Sequence, residues 1–433
     1  MSTSYLLPRD TLGLILAGGR VNELAALTLH RPKSAMPFGG MYRVIDCALT
    51  NLAHAGIDRI GILSQYRPSS LMDHVRDGKY WDFQGFQRGV SFLPPHTGDS
   101  DSDWYKGTAD ALYQNIAFLQ HYRKPLTLVV SGDHMYRMDY RALFDVHIRT
   151  GVHMTMAVTR VPMARASRFG LADVAGDGRV RAYREKPVLP FSDLASMTVY
   201  LFNTDVLLEE LRQNARTGVT FQIYDEILPR MVDRGVVSAC IYEGYWAYSR
   251  TLEDYYQANM DCLGDQPPVD LSQWKLSTNM DAGRIGDPCP ILIGPDACIT
   301  ESIVSPGCRI NGVVHRSVLS PDCVIETGAR IDHSVVMEGS RVGSGSSVHR
   351  AIIDKHVRVG CGTDIGCAAN SASSAEPNRE IPDLLSCGLS VIGKRVTIPG
   401  GITIGTNVII YPDVDSTSLA FPGLPDGSTV FPV

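Results

Sequence analysis

Four short segments in the second half of the chain recur at a spacing that few folds accommodate. Ser302-Ile303-Val304, Ser317-Val318-Leu319, Ser334-Val335-Val336 and Ala351-Ile352-Ile353 start 15, 17 and 17 residues apart, and Ile310, Ile325, Val342 and Val359 follow them six or seven residues later. This is close to three six-residue rungs, one turn of a triangular coil. Gly294, Gly343, Gly360, Gly393 and Gly405 each follow an aliphatic residue, as hexapeptide repeats require at coil corners. One such repeat cannot bury its apolar face alone, so the pattern predicts a parallel β-helix of stacked coils over 291–433. Residues Ala368 to Leu389, rich in Ser, Asn and Pro, interrupt the period and are expected to protrude as a loop.

The first half has another rhythm. Leu12–Leu16, Arg59–Ser64, Leu126–Ser131 and His153–Arg160 read as buried strands, while Ile45–Ala55 and Ala109–His121 carry apolar residues at helical spacing. Alternation of this kind predicts an α/β domain over 1–263 with a mostly parallel sheet covered on both faces. Ligands of such sheets sit at the carboxyl ends of the strands. Gly18-Gly19 and Gly132-Asp133 both fall there. Residues 264–290 show no clear period and are expected to link the domains.

Composition excludes several classes of function. With 40 basic and 46 acidic residues and a net charge of −6, the chain lacks the dominant basic balance of a general nucleic-acid binder. No apolar run approaches the roughly 18 residues of a membrane span, and Met1–Arg9 shows no signal peptide, so a cytoplasmic protein is expected. The ten cysteines form no C-x-x-C pair; Cys361 and Cys367, the closest two, suit neither zinc nor redox chemistry. They are expected to be reduced and mostly buried.

The stretch after Leu16 carries the chemistry. Gly18-Gly19 lets the backbone approach phosphates with its N–H groups turned toward negative charge. Arg31, Lys33 and Arg43 then lie among turn residues and apolar side chains, where three cations suggest a nearby anion. Leu16-Ala17-Gly18-Gly19-Arg20, Arg31-Pro32-Lys33-Ser34-Ala35-Met36-Pro37-Phe38-Gly39-Gly40 and Tyr42-Arg43-Val44-Ile45-Asp46 are followed by Trp104-Tyr105-Lys106-Gly107-Thr108-Ala109-Asp110-Ala111, Ser131-Gly132-Asp133-His134-Met135-Tyr136 and Glu185-Lys186-Pro187. In this order and spacing they resemble the bacterial glucose-1-phosphate adenylyltransferase (ADP-glucose pyrophosphorylase) family. The resemblance implies a Rossmann-like nucleotidyltransferase domain followed by a left-handed parallel β-helix.

It also implies adenylyl transfer from ATP to α-D-glucose 1-phosphate, giving ADP-glucose and pyrophosphate for glycogen or another α-glucan. Tyr105, Gly170, Glu185, Lys186 and Ser196 fall where the family holds glucose 1-phosphate. Lys186 suits the phosphate, Glu185 suits sugar hydroxyls, and Gly170 leaves room for the ring. Gly18, Gly19, Gln65, Gly107 and Thr108 fall at nucleotide positions, Lys33 and Asp133 at catalytic ones, and Asp133 matches a Mg2+ ligand. Gln65 and Trp104 match positions of allosteric communication, although Trp104 also reads as a core aromatic. A homotetramer, or a hetero-oligomer with an active paralogue, is implied, together with an allosteric small-molecule effector. His30, Arg31 and Arg43 fall where effectors bind, with His30 in place of a lysine.

Departures from the family pattern cluster on the triphosphate and metal side. Val21-Asn22-Glu23-Leu24 stands where the family has Gly-Thr-Arg-Leu, and Tyr248 where it has a second carboxylate at the metal. An anion 4 Å from a phosphate charge at an effective dielectric of 20 costs about 4 kcal/mol before screening. Met41 replaces a lysine, and Thr198 a glycine. The sugar-phosphate positions are intact, which raises an alternative: a weak or inactive regulatory subunit. A third class, acyl transfer by a β-helix histidine, would draw on His315, His333, His349 or His356. Their expected corner or outward positions argue against it, and the N-terminal motifs would then have no role.

Overall fold

The computed structural model describes residues 8–86, 88–96, 104–281, 289–366, 376–419 and 422–432. They pack as two compact units. The first takes the described residues up to Gly19 together with Ile45–Trp246; the second takes Arg20–Val44 with the described residues from Ala247 onward.

The first unit is built on a nine-stranded sheet. Its strands are β1 (Thr11–Leu16), β2 (Arg59–Leu63), β3 (Gly89–Leu93), β4 (Leu126–Ser131), β5 (Met154–Arg160), β6 (Leu171–Val174), β7 (Val180–Arg184), β8 (Leu194–Asn203) and β9 (Val237–Tyr242). The order is β7-β6-β8-β4-β1-β2-β3, with β5 also on β8 and β9 outside β5. Strands β3, β2, β1 and β4 are parallel, as are β9 and β5. The long strand β8 runs antiparallel to both β4 and β5. Strand β4 is buried at every position and β1 at all but its last, which is why both are mostly apolar on both faces, with only Thr11, Thr127 and Ser131 polar.

The helix expected over Ala109–His121 is instead two, Thr108–Gln114 and Ile116–Tyr122, separated at Asn115. The Asn115 side chain donates to the Tyr105 hydroxyl and the Ala111 carbonyl, both at 2.8 Å. These bonds hold Asn115 at φ −103°, ψ 22°, outside the helical region. Among the described residues no helix is long and apolar enough to cross a membrane.

In the second unit three parallel sheets of six, seven and seven short strands form the β-helix. The repeat seen in the sequence is its register: Ile303, Val318, Val335 and Ile352 stand one above another, as do Ile310, Ile325, Val342 and Val359. Their aliphatic neighbours Val314, Ile331, Val348 and Ile365 form a further buried column. Serine hydroxyls tie the coils at one corner: the N–H groups of Ser317, Ser334 and Ala351 donate to the Oγ atoms of Ser302, Ser317 and Ser334 at 3.0–3.1 Å. Part of the expected loop over 368–389 lies outside the described residues, as do Cys367 and residues 282–288 of the expected linker. Val269, Trp274 and Leu276 of that linker are buried. Of the nine described cysteines, five are buried.

Residues 20–44 pack on the helices that precede the β-helix. The Tyr255 hydroxyl donates to the Pro37 carbonyl at 2.5 Å, the Gly39 N–H donates to Asn259 Oδ1 at 3.1 Å, and the Phe38 ring lies 6.5 Å from that of Trp274. Met36 and Phe38 are both buried, Phe38 against Trp274.

Candidate active site

Two glycines follow β1, and they do different things. A side chain on Gly18 would press within 3.1 Å of the Gln65 backbone nitrogen and 3.3 Å of the Leu63 carbonyl, so Gly18 closes the loop onto the end of β2. Gly19 has no atom within 4 Å of where a Cβ would stand and is exposed. It leaves a bare stretch of backbone at the strand end, which suits approach by a phosphate. Beside it in the sheet, β4 runs into Gly132 and Asp133; the Asp133 N–H donates to Ser131 Oγ at 3.2 Å, and its half-buried carboxylate follows the strand's carboxyl end.

Gln65 is fixed by the backbone of Tyr105, accepting the Tyr105 N–H at 2.8 Å and donating to its carbonyl at 3.4 Å. The Tyr105 hydroxyl donates to the Leu93 carbonyl at 2.8 Å, and burial pushes its pKa up to about 12. Trp104, next in chain, is 71% exposed, which removes the core reading. Thr108 is held by Gln222, whose Oε1 accepts both its N–H at 2.9 Å and its hydroxyl at 3.0 Å. Gly107 is extended, and a Cβ there would overlap the Phe221 carbonyl, so the GTADA segment is docked on 220–223.

Four of the five residues expected at the sugar phosphate, Gly170, Glu185, Lys186 and Ser196, are brought together, while Tyr105 is held apart from them on Leu93, Gln65 and Asn115. A Cβ on Gly170 would overlap the Tyr183 hydroxyl and crowd Glu185 Oε2. That hydroxyl donates to Glu185 at 2.8 Å, and Lys186 Nζ lies 3.6 Å from the other carboxylate oxygen. Burial, with the neighbouring Tyr200 and Glu185, raises the Tyr183 pKa well above its ordinary value, so it stays a donor to Glu185. The Ser196 N–H donates to the Gly170 carbonyl at 2.8 Å, and the Ser196 and Tyr200 hydroxyls are 3.0 Å apart. Thr198 sits where β8 slips register between Ser196 and Tyr200, at φ +53°. That left-handed conformation is what the family glycine would supply without strain.

An aromatic group beside these residues was not legible in the sequence. Trp246 packs 5.4 Å from both Phe169 and His134, and its indole nitrogen is 3.3 Å from His134 Nδ1. Phe169, next to Gly170, and Trp246, at the head of the segment that carries Tyr248, stand out separately in the sequence, but nothing local pairs them.

In the second unit the departures meet. Arg250 Nε donates to Glu23 Oε1 at 2.6 Å, and Arg250 also donates to the Tyr248 hydroxyl at 3.0 Å. Lys33, buried, donates to the Tyr248 carbonyl at 2.7 Å, with its ammonium 4.7 Å from the centre of the same ring. Tyr248 thus stands between two cations, and Glu23 neutralises one of them. Val21 is simply extended, at φ −117° and ψ 105°; the unusual backbone in this loop falls on Ala25, at φ +43°. Farther along, Arg31 makes a buried ion pair with Asp354 at 2.6 Å, and His30 lies 3.2 Å from Asp413. Burial, with Arg43 and Arg31 nearby, pulls the Lys355 pKa down to about 8 even though Glu338 pairs with it at 2.7 Å.

Comparison with known proteins matches residues 12–264 to the nucleotidyl transferase family and residues 294–376 to the GlmU-like C-terminal hexapeptide family. A protein of Acetivibrio thermocellus named glucose-1-phosphate adenylyltransferase is 36% identical over 424 residues, 96% of either chain. One of the same name from Thermomicrobium roseum is 38% identical and covers 98% of each chain. Another, from Desulforamulus reducens, is 37% identical across 84% of this chain and 91% of its own.

Proposed function

Because the chain belongs to the glucose-1-phosphate adenylyltransferase family, we propose that it transfers the adenylyl group of ATP to α-D-glucose 1-phosphate, releasing pyrophosphate and supplying ADP-glucose for α-glucan synthesis. The observation that carries this reading is the assembled Gly170, Tyr183, Glu185, Lys186 and Ser196 cluster. Lys186, 44% exposed, offers an ammonium to the sugar phosphate, and Glu185, oriented by Tyr183, accepts sugar hydroxyls. Gly170, lacking a side chain, lets the Tyr183 hydroxyl close onto its backbone and reach Glu185, so the space beside it is filled by Tyr183 and not left for the sugar ring.

The attacking group is the phosphate oxygen of glucose 1-phosphate and the electrophile is the α-phosphorus of ATP. Displacement at phosphorus asks for alignment and neutralisation of charge more than for covalent chemistry by the protein. The bare backbone at Gly19 offers N–H donors to phosphate. Asp133, a hard oxygen donor at a strand end, fits Mg2+ of the kind held by one or two carboxylates together with substrate phosphates. When bound, that ion supplies charge neutralisation at the nucleotide phosphates. Tyr105 holds its hydroxyl on Leu93 and contributes by fixing Gln65.

A second reading, a regulatory subunit of low activity, is favoured by one observation: Glu23 pairs with Arg250, so that half-buried guanidinium is neutralised within the protein. An anionic effector, under either reading, would meet Arg31, Arg43, Lys355 and Lys394, of which Arg31 and Lys355 are already paired with Asp354 and Glu338. The test is formation of ADP-glucose from radiolabelled ATP and glucose 1-phosphate by the purified chain, with and without Mg2+. Mg2+-dependent turnover that falls when Lys186 is replaced supports the enzyme; inert pure chain that alters the activity of a competent relative supports the subunit.

A further inference from the structure

We propose that Asp332, His333 and His349 form a binding site for one divalent transition-metal ion of the zinc class on a corner of the β-helix. The β-helix register builds the site. His315, Asp332 and His349 are direct partners in successive parallel strands, so their side chains stack in one column at the roughly 4.8 Å spacing of neighbouring strands. The next residue of each coil turns the corner in the left-handed conformation: Arg316, His333 and Arg350 have φ of +42°, +43° and +44°. His333 is thereby set beside the middle of the column.

The backbone here is held from several sides. Ser317 and Ser334 hydroxyls donate to the His315 and Asp332 carbonyls at 2.7 and 2.8 Å, and the Tyr256 hydroxyl donates to the His333 carbonyl at 2.8 Å. The Asp332 carboxylate lies between the two imidazoles, with Oδ1 2.9 Å from His333 Nδ1 and Oδ2 2.8 Å from His349 Nδ1. One donor atom from each of the three residues lies within 4.8 Å of the others. Ligands about 2.0–2.1 Å from a tetrahedral zinc stand roughly 3.4 Å apart, so small side-chain rotations close the set. All three are half-buried and reachable from solvent.

Two imidazoles and one carboxylate suit Zn2+ or Co2+, with water completing the shell, whereas Mg2+ prefers oxygen ligands alone. Each histidine ligates as the neutral ring: the Nδ1 proton now on the carboxylate hydrogen bond moves to Nε2 through solvent, and the ion takes its place. His315 contacts the His333 ring at 5.7 Å but has its Nδ1 2.9 Å from Thr300 Oγ1, outside the set. The site is independent of the nucleotidyltransferase reading.

The experiment uses the untagged full chain stripped with a chelator and titrated with Zn2+ alone by calorimetry, then with Co2+ by visible absorption. The expected result is one equivalent of zinc, unaffected by excess Mg2+, and a cobalt spectrum of tetrahedral nitrogen and oxygen ligation. His333→Gln with His349→Gln, and separately Asp332→Asn, weaken uptake at least about tenfold, while His356→Gln does not. Circular dichroism and thermal unfolding in chelator establish that each variant is folded, and Asp332→Asn decides if the double variant is not. Absence of stoichiometric uptake, or equal uptake by folded Asp332→Asn, overturns the proposal and leaves a hydrogen-bonded Asp-His cluster.

Discussion

Arg250 and Glu23 form an ion pair at 2.6 Å across 227 residues of sequence, and the same guanidinium reaches the hydroxyl of Tyr248. The two strongest departures from the family pattern are therefore one connected group. Glu23 is a partner as well as an intruding anion, and changing it alone leaves Arg250 facing a new cation.

Glu23→Arg by itself is expected not to raise turnover and to destabilise the chain by about 1 kcal/mol, through repulsion at a partly exposed site. Combining it with Tyr248→Asp restores a carboxylate for the two guanidiniums. The double variant is expected to exceed the sum of the single effects on kcat/KM by at least about tenfold, or about 1.4 kcal/mol. Steady-state kinetics on all four proteins measure this, and additive effects would contradict the coupling.

Thr198 holds a β-branched side chain at φ +53°. Replacing it with glycine should stabilise the protein by about 1 kcal/mol, the difference between left-handed strain and the extra chain entropy of glycine. Urea unfolding monitored by circular dichroism gives the answer as a shifted midpoint at unchanged slope.

Gly170→Ala drives a methyl group into the Tyr183 hydroxyl, and the expected cost is about 1–3 kcal/mol with a raised KM for glucose 1-phosphate. Tyr183→Phe in the same chain should recover part of the stability, since the ring carbon and Glu185 still crowd the methyl group, but not the KM, because Glu185 has then lost its donor. Recovery of both would mean that Tyr183 orients nothing.

Lys355 titrates at about 8 in the folded chain against 10.5 ordinarily, chiefly from burial, with Arg43 adding repulsion. Between about pH 8 and 10.5 the unfolded chain then binds more protons, so this group makes stability rise with pH across that window; its penalty is fully present below pH 8. Lys355→Met should flatten the rise. On the anionic-effector proposal, inorganic phosphate should move it to higher pH and bind less tightly above about pH 8, as titration calorimetry at about pH 7 and 9 would register.

What the sequence disclosed follows from how local each signal is. The spacings from Ser302 to Ala351 map one to one onto strand register because stacking coils copy a short period directly into space. The glycine loops were legible for a similar reason, since a strand end is a local event. Asn115 was not, because one of its two side-chain bonds runs to Tyr105, ten residues back and outside the helix. The Glu23 and Arg250 pair, and the packing of Pro37 and Phe38 on Tyr255 and Trp274, depend on contacts more than two hundred residues apart, which no local pattern encodes.

The placement of residues 20–44 bears on how the protein must be made. They leave the ribosome early, yet the helices that cover Phe38 and Pro37 come more than two hundred residues later. Until then Pro37 and Phe38 lack these partners, in a nascent chain whose sheet has all its strands. A fragment ending at residue 263 would keep Tyr255 and Asn259 but lose Trp274, and with it part of that cover. Neither unit is a contiguous piece of the gene, so the two halves that the repeat pattern marks out cannot be separated with one cut.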